Sequence, residues 1–342
     1  MTSGFLKKIY LVAFAFIFCL VVADCFGQSL QKFTFTQSKM GSPFTITFYA
    51  SENSTAIKAA TKSFRLVDSL NNIFSDYEPG SELNRLSKTA GTNQWITVSP
   101  GLFKILQTSE AASINSNGAF DITIGPVVKL WRVARKEKQL PPDSLLKQAM
   151  SAVGFNYILL DADLQKVKLL KPGMSLDLGG IAKGFIAQSV IDLLRSMEIN
   201  NAMADAGGDI VMSLPPPGKS GWTVGINAPE KISEWAGARL SLKNMAVATS
   251  GDVYQFLEMD GKKYSHIVNP KTGVGNTNQR NVTVIAKTGE RADWLATACS
   301  LLSIKKAMHL VKKYPGSALL IMENRNDKIK TWQSKSFKKY VE

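Results

Sequence analysis

Apolar side chains recur every three or four positions between residues 56 and 74, which makes this the clearest periodic stretch of the chain. Such spacing places the side chains on one face, so it predicts an amphipathic helix. Ser81, and Ser99 followed by Pro100, have the residue types that begin two further helices. Helical patterns also cover residues 141–152, 182–197, 292–302 and 305–313.

Strand-like segments are short and are bounded by turn residues. Two of them flank the bend at Met40-Gly41 between residues 33 and 49. A hairpin closed by Lys171-Pro172-Gly173 is predicted over residues 167–178, and residues 203–212 contain two apolar pieces around Gly207-Gly208. Single strands are predicted over residues 222–227, 238–242, 245–249, 281–286 and 317–322.

This mixture of elements lacks the regular strand–helix alternation of a Rossmann fold. It favours an α+β fold with mainly antiparallel sheet. The chain has 342 residues, of which 45% are hydrophobic and 20% are charged. The composition is globular, and the length suits one large domain or two ordinary ones.

The first 27 residues predict an export signal, which leaves residues 28–342 as the folded part. Two lysines precede an apolar run of 13 residues, which is too short to span a bilayer comfortably. Cys25 and Gly27 provide the small residues that a signal peptidase requires at its cleavage site. Retention as a membrane anchor stays open, as does acylation at Cys25, which the preceding Asp24 disfavours.

The formal net charge is +14, and removal of the export segment leaves +13. Such a surplus favours anionic partners: nucleotides, acidic proteins or the phospholipid headgroups of a membrane surface. The basic residues are scattered and no basic run is interleaved with aromatics, which argues against nucleic acid. Cys299 is the one cysteine outside the export segment, so no internal disulfide is expected. Its apolar neighbours indicate a buried side chain.

Two segments far apart in the chain carry groups suited to phosphate and metal binding. An apolar strand ends in Gly179-Gly180 and opens into the helix that begins at Ala182. Glycines let the backbone approach a ligand, and the amides at a helix N-terminus attract phosphate. Asp293 and Thr297 are spaced i, i+4, so both oxygens can meet one ion such as Mg²⁺. Each pattern alone is also common in a tight turn or an ordinary helix.

His266 is one of two histidines and precedes the turn Asn269–Gly273. A neutral imidazole can accept a hydroxyl proton near neutral pH. Orientation of a phosphate is the alternative role, and an isolated loop histidine is more often structural. The other histidine, His309, lies in a predicted helix and is interpreted as structural. A Gly-rich turn, a pair of hard oxygens and one histidine suit the cleavage of a phosphoanhydride.

Several of these motifs occur in the order and spacing of a known family. They are Asp177–Gly184, Ala206–Asp209, Thr249–Asp252, His266–Gly273 and Asp293 with Thr297. Three upstream motifs extend the match: Met40-Gly41, Ser81–Asn84 and Gly118–Pro126 with Trp131. Over residues 39–322 the chain resembles the ApbE-type FAD:protein FMN transferases.

The resemblance implies a duplicated T-fold of the α+β class, with FAD held in a cleft of a single domain over residues 28–342. Members of the family are mostly periplasmic or anchored to the inner membrane. They split FAD at its pyrophosphate with Mg²⁺, release AMP, and attach FMN through a phosphoester to a Thr or Ser of an acceptor flavoprotein. The resemblance therefore implies FAD and such an acceptor as partners.

The resemblance also assigns roles to individual residues. It implies metal ligation by Asp293, Thr297 and the backbone carbonyl of Gly180, and assistance of phosphoryl transfer by His266. Positions that contact FAD in the family are occupied here by Met40, Tyr77, Ala119, Phe120, Asp121, Asp177, Lys183 and Ile267. Asp252 is a lesser candidate for a hydrogen bond to FAD.

Two other functions use the same residues and stay open. A Mg²⁺-dependent FAD pyrophosphatase would use water in place of the protein hydroxyl and release FMN and AMP. A flavin-binding protein would hold FAD without turnover.

Overall fold

The computed structural model describes residues 29–226, 237–251, 256–259, 261–325 and 328–342. The predicted export segment, Asn227 and Asp252 lie outside the described residues. The α-helices in these ranges are α1 (Asn53–Phe74), α2 (Glu82–Ser87), α3 (Pro100–Asn115), α4 (Gly125–Glu137), α5 (Asp143–Met150), α6 (Ala182–Ser196), α7 (Gly289–Leu301) and α8 (Ile304–Lys312).

The strands in these ranges are short, as predicted, with two to nine residues each. They are β1 (Gln31–Lys39), β2 (Ser42–Ala50), β3 (Ile96–Thr97), β4 (Ile158–Asp161), β5 (Lys166–Leu169), β6 (Ala202–Asp205), β7 (Ile210–Met212), β8 (Trp222–Gly225), β9 (Arg239–Leu242), β10 (Met245–Gly251), β11 (Phe256–Met259), β12 (Lys262–Ser265), β13 (Arg280–Ala286), β14 (Ala318–Arg325) and β15 (Lys328–Gln333).

An eight-stranded sheet forms the centre of the fold, with the strand order β1-β2-β6-β7-β10-β13-β14-β15. All of its strand pairs are antiparallel. The predicted α+β class with mainly antiparallel sheet is therefore confirmed. Strand β13 is buried along its whole length, because Val282 and Val284 face the main core while Ile285 faces a second core behind the sheet.

Helices α1, α3, α6 and α7 cover one face of the sheet and supply most of the main core. The stripe predicted on α1 is buried there, including Phe64 and Val67. The second core lies on the other face, where Trp222 of β8, Leu240 of β9 and Phe337 pack against the sheet. Across the described ranges, no helix is both long enough and apolar enough to cross a membrane.

The hairpin predicted over residues 167–178 is wrong. Strand β5 pairs instead with β4 and β3, and the chain after Gly173 does not return along it. Ser175 forms a parallel bridge with Ile124, and the amide of Asp177 donates to the carbonyl of Ile122 at 2.8 Å. The segment after the turn therefore finds its partner in a distant loop, a choice that local turn chemistry does not encode.

Helix α4 begins at the end of the Gly118–Pro126 motif and was not predicted. Ile124 precedes it without a capping side chain, although Pro126 lies in its first turn as in many helices. The side chain of Trp131 is 2% exposed and anchors the helix in a third, smaller core. Helix α4 carries Arg132, one of the residues of the candidate site.

Helices α6 and α7 cross in backbone contact at two glycines. A Cβ atom built on Gly184 would lie 2.2 Å from the carbonyl oxygen of Gly289. A Cβ atom on Gly289 would lie 2.1 Å from the carbonyl oxygen of Gly184. No residue with a side chain fits this approach. The crossing brings the start of α6 against the first turns of α7.

Candidate functional site

The helix crossing places Asp293 of α7 at the first turn of α6. Its carboxylate oxygen Oδ2 accepts a hydrogen bond from the backbone amide of Gly184 at 3.0 Å, and the residue is only 5% exposed. A negative charge is stabilised at a helix N-terminus by the helix dipole. One of the amides predicted to attract phosphate is therefore occupied by this carboxylate.

Gly180 and Thr297 lie against each other beside Asp293. A Cβ atom built on Gly180 would lie 2.9 Å from Oγ1 of Thr297 and 3.3 Å from the ring of Phe120. Asp293 and Thr297 are one turn apart on α7, so they share a helix face. The structure thus brings together the three residues predicted as metal ligands, although they come from two distant segments.

The donors at this point fit Mg²⁺. They are a carboxylate, a hydroxyl and a backbone carbonyl, which are the hard oxygen ligands that Mg²⁺ prefers. Among the described residues, no three His, Cys, Asp or Glu side chains gather into a metal cluster, so this site has a mixed donor set. The carboxylate of Asp293 is deeply buried and engages only one amide within the described ranges.

Negative charge is in excess around this point. Burial raises the pKa of Asp293 well above the usual range of a carboxyl, and the nearby charge of Asp209 raises it further, while the Gly184 amide and Lys183 oppose the change. Burial also raises the pKa of Asp209 to about 7, although Lys183 lowers it, and Asp205 adds to the rise. A divalent cation would relieve this repulsion.

Ser42, two residues after Met40, and Lys183 approach the same glycine loop. Met40 occupies the turn between β1 and β2 with φ of 52°, and its side chain is half-buried against the main core. A Cβ atom on Gly207 would lie 2.4 Å from Oγ of Ser42 and 3.8 Å from Nζ of Lys183. Lys183 and the strand that follows the Met40 turn therefore lie at one loop, although they are far apart in the sequence.

The loop that contains Ala119, Phe120 and Asp121 is buried. Oδ1 of Asp121 accepts hydrogen bonds from the amide and hydroxyl of Thr123 at 2.9 and 2.7 Å, and Oδ2 accepts one from the amide of Phe155 at 3.0 Å. Burial raises the pKa of Asp121, and these hydrogen bonds partly offset the rise. The carboxylate fixes the loop, so a contact of this loop with FAD would use its other atoms.

Tyr77 is 71% exposed, and its ring lies over the guanidinium of Arg132, with Cζ 3.9 Å from the ring centroid. Nη2 of Arg132 donates to Oδ2 of Asp177 at 3.2 Å, and Nη1 donates to Asp76. Oδ1 of Asp177 accepts a hydrogen bond from the amide of Gly179 at 2.7 Å. Arg132 connects two predicted FAD contacts, yet the sequence motifs did not indicate it, because it lies on α4.

His266 and Ile267 lie on a loop that is fixed to two helices. The indole Nε1 of Trp131 on α4 donates to the carbonyl of Gly273 at 2.7 Å. The side-chain amide of Asn276 donates to the carbonyl of Ser300 on α7 at 2.9 Å. His266 is half-buried. Its loop is attached to α7, the helix that carries Asp293.

A pocket of about 460 Å³ opens beside Tyr77. Its wall includes Asp76, Pro126, Lys129 and Ser175. Pockets of this size hold small organic ligands in proteins. The pocket is the candidate for part of the predicted FAD cleft.

Known proteins resemble this chain over most of its length, both in sequence and in structure. Two proteins named FAD:protein FMN transferase are similar in sequence. The one from Haemophilus influenzae is 31% identical over 98% of this chain and 99% of its own length. The one from Treponema pallidum is 29% identical over 89% of this chain and 88% of its own length.

Solved structures are similar over nearly the same extent. The flavin transferase ApbE from Vibrio cholerae superposes with a TM-score of 0.80 at 26% identity, covering 91% of this chain and 100% of that one. The ApbE protein from Thermotoga maritima gives a TM-score of 0.79 at 27% identity, with 91% and 99% covered. The fold is therefore that of the flavin transferases. The ApbE family model matches residues 40–321, and the chain belongs to the ApbE family.

Proposed function

We propose that this protein transfers FMN from FAD to a Thr or Ser hydroxyl of an acceptor flavoprotein, with Mg²⁺ and with release of AMP. The observation that carries the proposal is the contact of Gly180 with Thr297, beside the contact of Gly184 with Asp293 at the crossing of α6 and α7. The family membership and the names of the relatives support the same activity.

Two parts of FAD, a planar ring and the pyrophosphate, have candidate partners in the chain. Tyr77 exposes one ring face beside the pocket, where it can stack on a planar ring of the ligand. Lys183 lies among carboxylates near the metal donors, where its ammonium can offset the negative charge of a pyrophosphate. The Gly179-Gly180 turn allows the backbone to approach the ligand closely between these two groups.

The proposed reaction replaces the phosphoanhydride bond of FAD by a phosphoester bond to the acceptor. The acceptor hydroxyl oxygen forms a bond to the phosphorus on the FMN side of the pyrophosphate, and the bond from that phosphorus to the bridging oxygen breaks, so AMP leaves with the bridging oxygen. His266 takes the hydroxyl proton. Gly180, Asp293 and Thr297 would hold Mg²⁺, which supplies charge stabilisation on the phosphoryl oxygens when bound.

Incubation with FAD and Mg²⁺, with and without an acceptor domain, tests this proposal. Flavin fluorescence that stays on the acceptor through a denaturing gel, together with stoichiometric AMP, is the expected result. Soluble FMN and AMP without acceptor would indicate the pyrophosphatase instead. FAD binding with neither product would leave a flavin-binding protein without turnover.

Replacing His266 by alanine is expected to slow FMN transfer by about a hundredfold or more, the range for loss of a general base. FAD affinity should change by less than about threefold, since the residue acts on the acceptor hydroxyl. Single-turnover transfer and flavin fluorescence titration measure the two quantities. His309→Ala, on the exposed side of α8, is the matched control. An unchanged transfer rate in His266→Ala would exclude this residue as the base.

We also propose that the chain is exported to the periplasm and cleaved after Gly27, because its first 27 residues have the pattern of an export signal. The full chain expressed in a Gram-negative bacterium should appear in the periplasmic fraction with Gln28 as its N-terminus. Cys25→Ser should leave that distribution unchanged. A membrane-bound product that Cys25→Ser converts into a soluble one would show acylation at Cys25 instead.

A further inference from the structure

Arg132 occupies the centre of an arrangement that joins three parts of the chain. Its guanidinium is hydrogen-bonded to Asp76 in the turn after α1 and to Asp177 before the glycine turn. The same group lies under the ring of Tyr77. Its side chain is 23% exposed, so water reaches only part of it.

The two carboxylates depend on this cation. Burial raises the pKa of Asp177, the charge of Asp76 raises it further, and Arg132 lowers it. Burial acts against the charged guanidinium as well, but the hydrogen bond to Asp76 and the charge of Asp177 outweigh it, and the pKa of Arg132 is raised. Without the guanidinium, two carboxylates would repel each other at the base of Tyr77.

The turn that carries Tyr77 is held separately through its backbone. The side-chain amide of Asn84 donates to the carbonyls of Ser75, Asp76 and Glu78 at 3.3, 3.1 and 2.8 Å. Loss of Arg132 therefore leaves the turn in place and frees the Tyr77 side chain. The guanidinium orients the ring and not the backbone.

The connection continues to the glycine turn, because Asp177 accepts from the amide of Gly179. The guanidinium of Arg132 thus contacts the ring of Tyr77 on one side. On the other side it contacts the carboxylate of Asp177, which holds the turn that precedes Gly180. We propose that Arg132 is a positioning residue for FAD, which holds Tyr77 ready to stack on a ring of the ligand and holds the carboxylate of Asp177 against the glycine turn. This inference rests on the proposed function, since it takes FAD as the ligand.

The test uses the mature chain and measures FAD binding apart from turnover. Arg132→Met is expected to weaken FAD binding and to raise KM for FAD by about tenfold or more, with kcat changed by less than about threefold. Arg132→Lys keeps the charge but not the flat stacking group, so it should restore only part of the affinity. Thermal unfolding of each variant reports any general loss of stability.

A double-mutant cycle separates positioning from a general structural role. Tyr77→Leu should weaken FAD binding, and adding Arg132→Met to that variant should then cost less affinity than Arg132→Met costs in the wild-type chain. Arg195→Met, which removes an exposed arginine from α6, is the control and should bind FAD as the wild type does.

The inference is overturned if Arg132→Met binds FAD within about twofold of wild type, or if the losses of the two single variants multiply in the double variant. It is supported if the losses overlap. A wild-type chain that binds FAD but fixes no flavin to an acceptor would refute the proposed transfer alone. A chain that does not bind FAD would refute both.

Discussion

Replacing Asp293 by asparagine is expected to lower FMN transfer on the order of a thousandfold. The change removes the one charged group of the candidate metal site, and loss of metal stabilisation costs several kcal/mol, where about 1.4 kcal/mol is tenfold in rate. Asparagine keeps an oxygen that can accept from the amide of Gly184, so the end of α6 stays capped. The rate loss should therefore come without unfolding.

The thermal stability of Asp293→Asn tests the metal site independently of the transfer rate. The pKa of Asp293 is raised in the folded state, so its ionisation destabilises the metal-free protein as the pH rises from its usual carboxyl range towards neutrality. Asparagine does not ionise, so the variant lacks this destabilisation. In EDTA, Asp293→Asn should melt at the same temperature as wild type or higher at pH 7. Added Mg²⁺ should raise the melting temperature of wild type only.

Asp192→Asn provides the control for this experiment, since its side chain is 57% exposed on α6, the helix whose first turn Asp293 contacts. It should preserve the transfer rate and the response to Mg²⁺. A variant Asp293→Asn with normal Mg²⁺-dependent turnover would refute the assignment of the metal site.

Replacing Gly184 by alanine is expected to destabilise the fold strongly. The new Cβ would meet the backbone of Gly289 at 2.2 Å and Cβ of Asp293 at 2.8 Å. Neither atom can move without shifting α7 against the sheet. Overpacking of this kind costs about 3 kcal/mol or more when backbone must move. Urea unfolding should show a midpoint far below that of wild type, or no folded protein.

Gly225→Ala is the matched control, because a Cβ atom there meets nothing within 4 Å. It should unfold close to wild type. A normal unfolding midpoint for Gly184→Ala would mean that the two helices do not cross in backbone contact.

Most helices were predicted correctly from local patterns, because an apolar stripe or a capping residue lies within or next to the helix itself. The stripe on α1 and the serine caps of α2 and α3 are examples, with the hydroxyls of Ser81 and Ser99 accepting hydrogen bonds from Asn84 and Leu102. The failed hairpin at residues 167–178 depended on a long-range choice of partner. Helix α4 was missed because no side chain caps its start.

Some residues of the candidate site likewise had a signal in the sequence, and others had none. The order of the motifs predicted that Gly180, Asp293 and Thr297 belong together, although nothing in the spacing of either segment encodes their contact. The internal hydrogen bonds of Asp121 had a local signal, since Thr123 follows two residues later and can donate to it. Arg132 had none, because its partners come from two other segments and its own helix was not predicted.

The contact between Gly184 and Asp293 joins residues 109 positions apart. Everything needed to complete the metal donors, together with the interior strands β13 and β14, is supplied by the last quarter of the polypeptide. A product that ends before Asp293 consequently lacks β14 of the central sheet and two of the three candidate metal ligands. Completion of the sheet and assembly of the proposed metal site thus depend on the same C-terminal segment.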